Sequence, residues 1–169
     1  MKNFILRGLL IVGIFSYSSY TLAQGGSIVA KCSLFPAGSF EATSSNVLGK
    51  GYKQGNKFFA KEFKVPVRSL DTDNNMRNGH MLKSLKETKF PFITVKNIKA
   101  ENGKGTGTIT IMDTSKEIAF TYKDLGGNKA EAKFELNLPD YKIEGLSYKV
   151  VSVDDKVEVV VKLPYEVKK

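Results

Sequence analysis

From residue 27 onward, apolar and polar residues alternate with a period of two, and this limits what the chain can become. The segment Ala130–Leu138 shows it most clearly: Ala130, Ala132, Phe134, Leu136 and Leu138 share one parity, with charged or polar residues between them. Ile118, Phe120 and Tyr122 repeat the pattern, as do Val157, Val159, Val161 and Leu163. Such segments are strands with one face to hide. Further strands are expected over Ser27–Phe35, Ser39–Val47, Lys57–Leu70, Phe92–Lys99 and Thr106–Met112. In Lys57–Leu70 the parity places Phe59, Phe63, Val65 and Val67 on one face, and Glu62, Lys64 and Arg68 on the other. Pro66 has no amide hydrogen and marks an edge or an irregular point in the ladder. Turn chemistry separates the segments, as at Asn102-Gly103 and "DLGGN".

One stretch breaks the alternation. "DTDNNMRNG" reads as a polar loop, and Asn78 reads as the cap of a short helix from Gly79 to about Glu87. Met81, Leu82 and Leu85 give that helix a narrow apolar stripe. A helix so short needs tertiary packing, so it is expected to lie against the sheet as a lid. About eight amphipathic strands must bury one face together. A closed antiparallel barrel does this without edges, and a two-sheet sandwich does it with two layers. An eight-stranded barrel is either filled by its own side chains or holds one elongated ligand, and periodicity does not choose between them.

The chain has 169 residues, which suits a single domain. Its first 23 residues carry Lys2 and Arg7, then an apolar run, then Thr21-Leu22-Ala23 ahead of Gln24. That pattern is an export signal cut after Ala23. It leaves about 146 residues (24–169), enough for one core. The formal net charge of +9 favours anionic partners. The lysines are dispersed among apolar and acidic residues, which is the pattern of solvated strand faces rather than of a nucleic-acid track. A single cysteine, Cys32, allows no internal disulfide, so packing and ladder hydrogen bonds must carry the fold.

Catalytic and metal patterns are weak. His80 is the only histidine, and no nucleophile elbow surrounds the nearby Ser69, Asp71 and Asp73. Asp71, Asp73 and Asn75 match only part of a calcium loop. No enzyme, cofactor or metal site is expected.

The stretch "SLDTDNNMRNGHMLKSLKETKFPFITV" (Ser69–Val95) closely resembles the signature of the YceI-like family. That signature has Ser-Leu-Asp-Thr, an arginine-bearing loop, a His-Met pair, a short helix and Phe-Pro leading into a strand. "GKGTGTITI", "KEIAFTY" and "AKFELNLPDYKI" extend the resemblance over about residues 28–163. It implies an exported, all-β, lipocalin-like antiparallel barrel of about eight strands with one short helix. It also implies an elongated apolar cavity that binds a polyisoprenoid, an isoprenoid quinone or another long-chain lipid without catalysis. The motif residues Asp71, Arg77 and His80 would then sit near the barrel mouth. Lining residues would come from Phe59, Phe63, Val65, Val67, Arg77, His80, Met81, Leu85, Phe120, Phe134 and Leu136. The expected location is periplasmic or secreted, with transient contact at a membrane surface. The competing reading is a filled barrel of the same fold that recognises a protein partner and carries no lipid.

Overall fold

A computed structural model describes residues 24–148 and 151–169. The expected export signal lies outside the described residues. Eight antiparallel strands close into a barrel. In chain order they are β1 (Gln24–Phe35), β2 (Ser39–Gln54), β3 (Lys57–Pro66), β4 (Phe92–Glu101), β5 (Lys104–Ile111), β6 (Thr114–Gly126), β7 (Lys129–Asn137) and, after the short β8 (Ser147–Tyr148), β9 (Val151–Val167). A helix, α1 (Asn75–Ser84), lies between β3 and β4. Neighbours along the chain pair with one another from β1 to β7, β7 pairs with β9, and β9 returns to β1. The barrel, not the sandwich, is the solution this alternation takes.

Register fixes which side chains share the interior. Ala42, Ala30, Val159 and Phe134 form one row across β2, β1, β9 and β7. Phe40, Cys32, Val157 and Leu136 form the next row toward the helix. On the opposite wall, Gly49, Phe63, Val95 and Ile109 stand in line across β2 to β5. The most deeply buried side chains of this interior include Val159 and Ile109.

β3 departs from simple alternation. Phe63 and Val65 are buried, as expected, but so is Ala60, of opposite parity. The inward phase therefore switches between Ala60 and Phe63. Register shifts flank the switch in β2, between Gly49 and Gly51, and in β4, between Lys96 and Lys99, where Asn97 has φ 54°. Bulges of this kind bend a strand and re-aim its side chains. Phe59 is therefore turned outward: it stacks on Tyr52 at 5.7 Å, with the Lys168 Nζ 5.3 Å from its ring. The expected strand to Leu70 also stops early, and Val67–Ser69 is a 3₁₀ turn. Pro66, which cannot donate to a ladder, is where the strand ends.

Candidate functional site

The helical insert between β3 and β4 caps one end of the barrel. Its neck is closed by the Val67 amide, which donates to the Pro91 carbonyl at 2.9 Å. Asp71 and Thr43 exchange two backbone hydrogen bonds of 2.8 Å, tying the insert to β2. Ser69 Oγ donates to the Pro66 carbonyl at 2.7 Å and lies 2.7 Å from Ser44 Oγ.

The polar motif is a clamp built around a residue that sequence reasoning gave another job. α1 begins at Asn75, and its cap is Asn74, whose Oδ1 accepts from the Arg77 amide at 3.0 Å. Asn78, the expected cap, lies inside the helix and faces the preceding loop. Its Oδ1 accepts from the Thr72 amide at 2.9 Å and from the Thr72 hydroxyl at 2.7 Å. Its Nδ2 donates to Asp71 Oδ1 at 2.8 Å. That bond, and then the Asp73 amide, hold the Asp71 carboxyl below the usual carboxylate range. Thr72 is buried, so losing its partner is costly. Asn78→Ala should destabilise the fold by about 1–3 kcal/mol through the unsatisfied Thr72 groups. Urea unfolding with an unchanged m-value would measure it.

Arg77 reaches back over the mouth. Its Nη1 donates to the Thr72 carbonyl at 3.2 Å, and its guanidinium carbon stands 4.3 Å from the centre of the Phe40 ring. Among the described residues it forms no ion pair within 4.0 Å. Cys32 lies beneath, opposite Phe40. Burial pushes its thiol up to about 11, with Arg77 opposing the shift. The thiol is therefore protonated near neutral pH and is a poor nucleophile.

The far end of the barrel is floored by aromatic and charged groups. Phe58 meets Tyr122 and Tyr165 edge-on, both at 5.0 Å. The Tyr165 hydroxyl donates to the Asp124 carboxylate, with both oxygens at 3.0 Å, and Lys53 Nζ pairs with Asp124 Oδ2 at 2.6 Å. The Lys53 hydrogen bond, followed by that of the Gly126 amide, lowers the Asp124 pKa. A depressed carboxylate contributes stability above its unfolded pKa and loses it as pH falls through the folded value. Asp124→Asn should therefore flatten the acid limb of the stability profile below about pH 4. Denaturant midpoints of the two proteins between neutral pH and that limit would check it.

The expected lining residues separate into three groups. Phe63, Val65, Phe134 and Leu136 face the interior, as does Phe120, whose ring lies over Gly105, and Val67 is buried just beyond the end of β3. Met81 and Leu85 pack from the insert onto the interior cluster that contains Phe63 and Val65, with Leu85 standing at the helix C-cap. His80 is exposed on α1, and Phe59 is on the outer wall. Phe40 and the Lys53–Asp124–Tyr165 floor were missed, and Asn78 was read only as a helix cap. Phe40 was signalled by its parity with Ala42, but the floor joins residues distant in the chain and had no local sign. Among the described residues no group of three or more His, Cys, Asp and Glu is placed to hold a metal ion.

Much of the inner wall is only half-buried. Ile28, Ala30, Phe134, Val161, Ile93 and Val95 all retain accessible surface despite facing the interior of a closed barrel.

Comparison with known proteins adds two findings. A family model described as YceI-like domain matches residues 22–165. Solved structures share the fold. A polyisoprenoid binding domain from Saccharophagus degradans implicated in plant cell wall breakdown superposes with a TM-score of 0.63 at 15% identity, covering 85% of this chain and 95% of its own. The Campylobacter jejuni YceI protein gives 0.52 at 21% identity over 67% of this chain and 73% of its own. A mutant of it with a monobromobimane guest gives 0.51 at 20% identity over 99% and 92%. A search of curated proteins finds no match.

Proposed function

The chain belongs to the YceI-like family, and from that premise we propose that it is a non-enzymatic carrier holding one long apolar lipid, a polyisoprenoid or isoprenoid quinone, inside the barrel. The observation that carries this reading is the half-buried inner wall. A solid centre packs to crystal-like density and seals its aliphatics from solvent. Here the central row keeps small Ala30 and Ala42 beside each other, and surface remains accessible on Ala30, Ile28 and Val161. We read that accessible surface as room for a guest between the α1 lid and the aromatic floor. The similarity to a polyisoprenoid binding domain supports the same class of ligand.

Each buried methylene contributes about 0.8 kcal/mol, and ordering a flexible chain offsets part of the sum. A prenyl tail supplies many such groups, so most of the affinity follows from cavity length. Residues 1–23 would direct export, which places the carrier in the periplasm or outside the cell. Native mass spectrometry of gently purified protein, with lipid identification, tests both parts. The expected spectrum shows a complex with a long-chain lipid and a polypeptide mass beginning at Gln24. Ligand-free protein from a lipid-replete host would overturn the carrier reading, and an uncut mass would overturn export.

A further inference from the structure

The barrel wall has a slit in its hydrogen bonding. β6 and β7 pair only where Thr121–Gly126 meets Lys129–Lys133. Continuing that register would set Phe120 opposite Phe134 and Ile118 opposite Leu136, but the ladder stops short of both. Along this stretch β6 bonds to β5 alone and β7 to β9 alone. Unmade ladder bonds inside a closed wall give up stability that eight paired strands would otherwise have. The chain after β7 covers part of the gap. Tyr141 and Ile143 are buried against Ile118 and Leu136, and Lys142 Nζ reaches Asp113 Oδ1 at 3.3 Å. Phe120 and Phe134, at the point where the strands part, stay half-buried.

Beside the parting strands lies an open groove of about 940 Å³ that runs from β3 across to β7. Phe59, Thr106 and Ala119 line its outward floor, and Lys57, Lys99, Lys104 and Lys133 rim it. Glu101 is the one carboxylate in its lining. Lys133 is 3.8 Å from Glu131, which it shares with Lys123 and Lys162. Among the described residues, Lys57, Lys99 and Lys104 have no carboxylate within 4.0 Å. Glu101 stands in register with Lys57 and Lys104 but is outnumbered, and a surplus of cations beside this floor is relieved by an anion that brings apolar surface with it.

We propose that an anionic amphiphile, a long apolar chain ending in a carboxylate or phosphate, enters the lumen sideways between Phe120 and Phe134 while its head group rests on the lysine-rimmed groove. The proposal rests on the lumen reading above and adds the route and the charge of the head. It assigns the α1 end a closing role, consistent with the hydrogen bonds that pin that insert to β2 and β3.

The test uses the full chain with Cys32→Ser and the outward pair Ala119→Cys and Glu135→Cys, which flank the slit. A short bismaleimide bridges the two thiols, and the same protein capped with N-ethylmaleimide is the control. Uptake of cis-parinaric acid, a fluorescent anionic polyene, should slow by about tenfold or more in the bridged form. Equal uptake rates would overturn side entry. No uptake by the unmodified protein would overturn the lumen reading itself, and side entry with it. A second variant, Lys57→Gln with Lys99→Gln and Lys104→Gln, should weaken parinaric acid by about tenfold in Kd and leave the neutral geranylgeraniol unchanged. Equal weakening of both would overturn the head-group assignment.

Discussion

Gly49→Ala is expected to destabilise the protein by about 3 kcal/mol or more, a large share of what holds a domain of this size together. Gly49 sits at φ +144°, which side chains rarely adopt. A Cβ there would stand 2.6 Å from the Glu62 carbonyl oxygen and press on the Phe63 ring. The ring belongs to the interior row and the carbonyl to the adjoining strand, so neither can move without opening the β2–β3 ladder. The site lies at the register shift that precedes Gly51. A substitution there disturbs the phase switch as well as the packing. The urea midpoint should fall steeply with m unchanged. A midpoint within experimental error of the parent would mean that the bulge has no structural role.

Ala30→Trp should have the largest functional effect at small structural cost. Ala30 lies mid-strand in β1, between Ala42 and Val159 and inside the barrel. In an open lumen the indole occupies the space of the guest. Copurified lipid should then drop by about tenfold while stability changes by less than about 1 kcal/mol. In a solid core the same substitution overpacks, costing about 1–3 kcal/mol. Lipid analysis and denaturant unfolding on one preparation separate the two outcomes. The pairing matters because reduced lipid alone would also follow from partial unfolding.

Fold class was legible because a strand with one hidden face writes its period directly into the chain. The rows built on Ala132, Phe134 and Leu136 in β7, and on Val157, Val159 and Val161 in β9, lie where alternation put them. Phe59 did not. Phe58, Phe59 and Ala60 are all apolar, so parity has no contrast there to register a phase change. The change is set by bulges in β2 and β4, the strands on either side. The helix start was misread for a related reason. Asn74, Asn75 and Asn78 all have the capping chemistry, and only the buried Thr72 decides that Asn78 turns backward instead. The family motif falls on the helical insert, and there its polar residues chiefly bind one another. The slit and the lysine groove were invisible because both arise from pairing that is absent, or from residues on five separate strands.

The strand that completes the wall, β9, is C-terminal to all the others and pairs with β1 through Ser27–Phe35. No circular ladder can exist until this last segment has emerged. The first strand must wait through the synthesis of more than a hundred residues with its hydrogen-bonding edge uncovered. Such distant pairing makes for slow folding and a sticky intermediate.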